Sequence, residues 1–395
     1  MIPFPHQSQL APIAAALIEV HGIAYLAMEE RTGKTLTAIM AAELLETVDT
    51  VLVITKKKAL TGWDETLKAY KHNKKYTVTN YHQAHKQPRH DLVLLDESHN
   101  YITSYPKPGK IWKELRPLCR NVPIIYISAT PYGQGPQMLY HQFALSSYSP
   151  WAQYTTFYQW FRTFGKLYQL DINGIKVNQY DKCDKDFILG CCEHLFITKT
   201  RKELGFEHEP EDRLHYIELS PVTREVYNEL LEHQLVELKA GTLVCDTTAK
   251  LRASLHMLEG GTAKIQEQRI VLANNEKINF ILKEFGDHED LVIMYNYIAE
   301  ETKLRAAFSK ATILQATSYA EGVDLSAFAD LVIYSQDFST ARHTQRRARQ
   351  ANKQRDRPIT VHFLLVRKGI SEQVYKTVSV NKRNFIDSVF LRETI

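Results

Sequence analysis

Short runs that are apolar at almost every position, rather than at every second one, punctuate this chain. Val51-Leu52-Val53-Ile54, Asp91-Leu92-Val93-Leu94-Leu95 and Pro123-Ile124-Ile125-Tyr126-Ile127 are three of them. A strand with one wet face alternates apolar and polar residues, so a continuous run implies burial on both faces. Helical apolar spacing over Ile13 to Val20 and Leu36 to Leu45 separates such runs, with His21 to Met28 as a further apolar stretch. Strand and helix in alternation predict a parallel sheet with helices on both sides. The pattern returns at Leu291 to Tyr295, Ala311 to Gln315, Leu331 to Tyr334 and Ile359 to Leu365. The expected fold is therefore α/β with two parallel-sheet lobes in tandem.

Between the two series lies a less regular stretch, about Pro136 to Pro221, rich in aromatics: Trp151, Tyr154, Phe157, Tyr158, Trp160, Phe161, Phe164 and Tyr168. Core or inter-lobe packing is the expectation for that stripe, ahead of base stacking. The division read from the sequence is lobe one over 1–145, an aromatic-rich extension and connection over 146–240, and lobe two over 241–395.

Composition narrows the class. With 395 residues, 44% hydrophobic and 24% charged, the chain is neither disordered nor low-complexity. The most apolar window, Ala11 to Met28, is broken by Glu19 and His21, so no membrane span is expected. Met1-Ile2-Pro3-Phe4-Pro5 lacks the basic start of a secretory leader. Five irregularly placed cysteines fit a reducing cytoplasm better than a disulfide framework. Cys183, Cys191, Cys192 and His194 lack the Cys-x-x-Cys spacing of a zinc knuckle.

Net charge is only +4, but cations cluster. Arg342, Arg346, Arg347, Arg349, Lys353, Arg355 and Arg357 face one acid, Asp356, and Lys56-Lys57-Lys58 is followed by Lys68, Lys71, Lys74 and Lys75. Such runs attract polyanions, or simply form a solvated face.

Three motifs carry chemistry. Glu30-Arg31-Thr32-Gly33-Lys34-Thr35 follows an apolar strand and opens a helix. Glycine lets the backbone approach an oxyanion, and a helix start offers free N–H groups. Lys34 then reaches terminal phosphates and the Thr35 hydroxyl a Mg²⁺ ion. The general pattern has a second glycine five residues earlier; Met28 stands there. Asp96-Glu97-Ser98-His99 ends an apolar strand with two carboxylates, suited to holding Mg²⁺ (Asp96) and to orienting and deprotonating water (Glu97). Ser128-Ala129-Thr130 ends a third strand.

In that order these motifs resemble superfamily 2 helicases and translocases, with Asp96 to His99 as a DEAD/DEAH-like box. Further stretches are similar to the same superfamily: Pro5-His6-Gln7, Val51 to Trp63, Val78 to Tyr81, Leu314 to Leu325, and Arg346 to Asn352. Within it the chain resembles the Snf2-like group through His194 to Lys202, Ile217 to Pro221 with Tyr227, and Ile370 to Tyr375 with Lys382. Among that group it is similar to small phage- or bacteria-encoded members. Arg31 and Gln350-Ala351-Asn352 depart from the usual pattern.

The resemblance implies two RecA-like lobes with an ATP cleft between them, and an ATP-dependent DNA translocase or helicase acting on duplex or forked DNA. It implies ATP and Mg²⁺ as cofactors. Gln7, Glu30, Arg31, Thr32, Gly33, Lys34, Thr35, Asp96, Gly322 and Asp324 would bind the cofactor, with Thr35 and Asp96 on the metal. Glu97 would be the catalytic base. Two of Arg346, Arg347 and Arg349 would act as arginine fingers, and the i, i+3 spacing puts Arg346 and Arg349 on one helix face. His99, Ser128 and Thr130 would couple the ATP site to nucleic acid, touched by Thr55, Lys56, Thr79 and Thr317. A nucleotide-gated clamp with little turnover is one alternative. A motor subunit of a restriction or nuclease complex is another. Replication, recombination or nuclease proteins would be partners, in the cytoplasm of a bacterium or phage-infected cell, with no membrane.

Overall fold

The computed structural model describes residues 2–133, 135–172, 175–206, 210–316, 325, 328, 330–348, 358–381 and 384–394. The chain divides into two compact units, Met1–Gly205 and Phe206–Ile395. Each is organised on a sheet whose described strand pairs are all parallel.

The first unit starts with a helix, Pro5–His21, followed by β1 (Ile23–Met28), helix Lys34–Leu44, β2 (Thr50–Thr55), helix Leu60–Ala69 and β3 (Lys75–Asn80). Then come β4 (Leu92–Asp96), helix Lys110–Cys119, β5 (Ile124–Ile127) and helices Met138–Phe143 and Phe157–Phe164. The hairpin of β6 (Tyr168–Ile172) and β7 (Ile175–Gln179), helix Lys185–Cys192 and β8 (Phe196–Lys199) complete it. The sheet order is β3-β2-β4-β5-β1-β8. All six residues of β1 are buried, as the continuous apolar run required. Because β5 lies between β4 and β1, the segments leaving all three at their carboxyl ends are neighbours. That is where α/β sheets place their ligand sites.

The second unit is led by β9 (Pro210–Ile217) and helix Pro221–His233. Ser220 caps that helix by accepting from Thr223 N, with Pro221 at the first helical position. Two hairpins follow, β10 (Leu235–Leu238) with β11 (Gly241–Val244) and β12 (Thr262–Ile265) with β13 (Gln268–Val271), flanking helix Thr248–Glu259. Helix Glu276–Glu284, β14 (Leu291–Tyr295), helix Ile298–Ala307, β15 (Thr312–Gln315), β16 (Asp330–Ile333), helix Thr340–Arg347 and β17 (Ile359–Val366) come next. Helices Ile370–Tyr375 and Asp387–Thr394 lie at the end. The order is β15-β14-β16-β17-β9. Alternate residues of one strand feed two cores: Leu291, Ile293 and Tyr295 join one cluster, Val292 and Met294 the other. This is the two-sided burial read from the sequence.

The intermediate stretch does not form a body of its own. Trp151, Phe157, Trp160, Phe161 and Phe164 pack into the first unit's core with Tyr126, Leu139 and Phe143. The division falls at Gly205, and residues after it pair into the second sheet through β9, in register with β17 from Ile359↔Pro210 to Val366↔Ile217. Both results differ from the segment boundaries expected at 145 and 240. The aromatic helix is amphipathic and needs a core to cover it, while β9 is an edge strand whose polar residues hide it from an apolar-run reading. Among the described residues no helix is long and apolar enough to cross a membrane.

Candidate active site

The chain turns from β1 into helix Lys34–Leu44 through a strained loop. Arg31 and Gly33 both have positive φ, 66° and 79°. Gly33 is required by its left-handed backbone, and a Cβ there would also displace the end of the Gln7 side chain. Gln7 Nε2 donates to the Gly33 carbonyl at 3.0 Å, and Gln7 Oε1 accepts from Phe4 N at 2.8 Å. His6 Nε2 donates to the Thr32 carbonyl at 2.9 Å, and Thr32 Oγ1 donates to the Glu29 carbonyl at 2.7 Å. The first helix thus fixes the loop's backbone at Thr32 and Gly33. Lys34 Nζ donates to the carbonyls of Met28 and Glu29, at 2.9 and 2.7 Å. Burial lowers its pKa, opposed by the carboxylates of Glu30, Glu97 and Asp96. Thr35 follows in the first turn, where N–H groups lack helical partners.

At the end of β4, Asp96 Oδ2 accepts from Thr55 Oγ1 (2.7 Å) and Trp63 Nε1 (3.0 Å), and its carbonyl accepts from Tyr81 Oη (2.8 Å). Burial, then the neighbouring Glu97 charge, push the Asp96 carboxyl up to about 6; the Trp63 and Thr55 hydrogen bonds oppose this. Two adjacent carboxyl groups at a buried strand end disfavour each other's ionised form, and Lys56 opposes this at Asp96. Asp96 and the Thr35 hydroxyl supply oxygen donors of the kind Mg²⁺ takes, so the residues present fit the ion. Glu97 itself has φ 52°, ψ 37°. A non-glycine residue in that region costs about 1–3 kcal/mol and is typical of functional turns.

His99 joins this box to the next strand. Its Nδ1 lies 2.8 Å from Ser128 Oγ and 3.4 Å from Glu97 Oε2, and its Nε2 lies 3.3 Å from Thr130 Oγ1. Ser128 Oγ also accepts from Thr130 N at 3.0 Å. A buried glutamine, unassigned from the sequence, extends the link. Gln142 Oε1 accepts from Ser98 Oγ and from Tyr25 Oη, both at 2.9 Å, and Gln142 Nε2 donates to the Pro131 carbonyl at 2.7 Å. Gln142 therefore ties β1, the acidic box and the segment after β5 at one point. Nothing local in His141-Gln142-Phe143 announces that role.

The residues expected on a nucleic-acid face differ in exposure. Thr55 and Thr79, expected on a nucleic-acid face, are both buried. The Thr55 hydroxyl is committed to the Asp96 carboxylate, a partner that only the β2–β4 pairing brings near. Lys56 is half-buried, while Lys57, Lys58, Lys68, Lys71 and Lys75 are exposed. Lys74 is turned inward, donating to the carbonyls of Leu45 and Val48.

The arginine run is not the uniform basic strip that its sequence suggests. Arg346 is 2% exposed. Its Nη2 donates to Asp337 Oδ2 at 2.8 Å and to Asn296 Oδ1 at 3.2 Å. Arg347 bonds Asp212 and the Pro210 carbonyl. Arg342 remains exposed near Asp337. Thr317, Gly322, Asp324 and Arg349 lie outside the described residues.

No family model and no curated protein matches the sequence. Solved structures do resemble it. One is the SWI2/SNF2 ATPase core of Sulfolobus solfataricus in complex with dsDNA, 14% identical, covering 98% of this chain and 94% of that one, TM-score 0.44. The Sulfolobus solfataricus SWI2/SNF2 ATPase core domain is 12% identical over 97% and 90%, TM-score 0.42. The Hef helicase domain of Pyrococcus furiosus is 12% identical over 95% and 98%, TM-score 0.49. At these scores the likeness carries no inference about activity.

Proposed function

We propose that this chain is a nucleic-acid-stimulated ATPase that moves along or remodels DNA. The observation that supports it is the convergence, within the first unit, of a phosphate-type loop after β1 with two carboxylates after β4. His99 joins those carboxylates to Ser128 after β5. In this reading Lys34 leaves its carbonyl partners for the terminal phosphates, Thr35 and Asp96 hold Mg²⁺, and Gln7 keeps Gly33 in its left-handed turn. The bound ion would neutralise phosphate charge. Glu97 orients water and takes its proton, with His99 fixing the carboxylate. Arg346 and Arg349 are the candidates for stabilising charge on the transferring phosphoryl group. DNA as partner rests on the motif resemblance and on the exposed lysines after β2.

The test is ATPase rate with duplex, single-stranded and forked DNA and with RNA side by side. Stimulation by DNA supports the proposal. Nucleotide binding with no turnover on any nucleic acid would favour the clamp reading instead.

A further inference from the structure

The phosphate-type loop carries two acids of its own, Glu29 and Glu30, ahead of Gly33. Polyphosphate would approach a loop lined with negative charge, which opposes binding unless that charge is answered. The structure answers it from a distant point in the chain. Strand β8 pairs with β1 in register Met28↔Lys199, and Glu29 N donates to the Lys199 carbonyl at 3.0 Å. The chain then turns so that Arg201 N donates to Glu29 Oε2 at 2.7 Å. The Arg201 side chain, only 6% exposed, puts Nε 3.8 Å from Glu29 Oε2 and Nη1 3.7 Å from Glu30 Oε2. Both acids thus lie on the loop whose Lys34 Nζ donates to the Met28 and Glu29 carbonyls.

We infer that Arg201 is a positioning residue of the nucleotide site: it neutralises Glu29 and Glu30 so that the loop admits a polyphosphate. This rests on the reading of the loop as a nucleotide site. A planar guanidinium suits the task because it spans two carboxylates and stays charged when buried. In its absence the two carboxylates beside the loop face an incoming polyphosphate without that cation, and repel it.

The experiment is equilibrium binding of a fluorescent ATP analogue to the full chain, with thermal unfolding recorded for each variant. Arg201→Ala should weaken affinity roughly tenfold or more, as expected for an uncompensated nearby charge. Glu29→Gln/Glu30→Gln added to Arg201→Ala should restore affinity to within a few-fold of wild type. A merely structural arginine would not be rescued this way. Arg201→Lys, which keeps a cation there, should bind within a few-fold of wild type and so tests the charge even if Arg201→Ala fails to fold; the Glu29→Gln/Glu30→Gln variant with Arg201 intact tests whether the two acids oppose the nucleotide. That double variant should bind the analogue more tightly than wild type, and less steeply so as salt is raised. Weaker binding by that variant, or unchanged binding by folded Arg201→Ala, would overturn the inference while leaving the nucleotide site intact. Wild-type protein that does not bind the analogue, or Lys34→Ala that binds it as well as wild type, would overturn the site and the inference together.

Discussion

Replacing Thr55 by valine removes one hydroxyl from Asp96 with little change of shape, and so isolates the electrostatics of the proposed metal ligand. Two donors, at 2.7 and 3.0 Å, hold Asp96 Oδ2 and oppose the rise of its pKa to about 6. A hydrogen bond to a charged group contributes about 1.5–3 kcal/mol, which corresponds to roughly 1–2 pK units. Asp96 is half-buried rather than sealed, so the lower end applies and the variant should titrate about one unit higher. The sign follows directly. Mg²⁺ needs the carboxylate, so Mg²⁺-dependent nucleotide binding should be lost as pH falls through about 6 in the wild type. In the variant that loss should come at higher pH. The assay is affinity for a fluorescent ATP analogue from acid to mildly alkaline pH, with and without Mg²⁺. The nucleotide's own phosphate titration is common to both proteins, so the difference between them is the readout. Superimposable profiles would refute the reasoning, as would Mg²⁺ dependence that ignores pH. The folded carboxyl also titrates above its unfolded value of 3.8. Asp96 therefore favours the folded state at low pH and loses that contribution as pH rises through about 6.

Other perturbations have equally definite outcomes. Gly33→Ala should abolish nucleotide binding and lower the melting temperature, because the new Cβ meets both a positive φ and Gln7; a variant with unchanged Tm and affinity would contradict the loop geometry. Arg346→Ala should cost about 1.5–3 kcal/mol in denaturant unfolding, since it removes the buried charged donor of Asp337 and leaves that carboxylate the Ser339 N–H and the exposed Arg342. A loss below about 1 kcal/mol would mean that the pair is not held in solution. DNA affinity should fall steeply with salt if the exposed lysines after β2 form the track, and a flat dependence would remove them from it.

How much of this was legible in the sequence depends on the range of the signal. Strands such as Leu291–Tyr295 could be read because burial on both faces leaves no polar position to confuse the pattern. The loop and the acidic box were legible because their chemistry is local: a strand end, then the reacting groups. Strand β9 was not, because Pro-Glu-Asp-Arg-Leu-His-Tyr-Ile is an edge strand with polar residues in its run. Thr55, Trp63, Gln142 and Arg201 acquire their roles only through tertiary contacts, with partners 33 to 172 residues away, or 11 in the case of Pro131. Arg346 shows the opposite error of scale. From the sequence it reads as an arginine finger or as part of a basic surface run, yet Asp337 and Asn296, from two other segments, hold it in a buried pair.

The central claim, that Asp96-Glu97 and the loop around Lys34 form one hydrolytic site, is tested most directly by Glu97→Gln. Steady-state phosphate release and ATP-analogue affinity should be measured on this variant and the wild type at saturating DNA. The account predicts wild-type turnover stimulated by DNA, and a variant that keeps nucleotide affinity within a few-fold while phosphate release falls by roughly 10²-fold or more. Phosphate release by Glu97→Gln at the wild-type rate would contradict it.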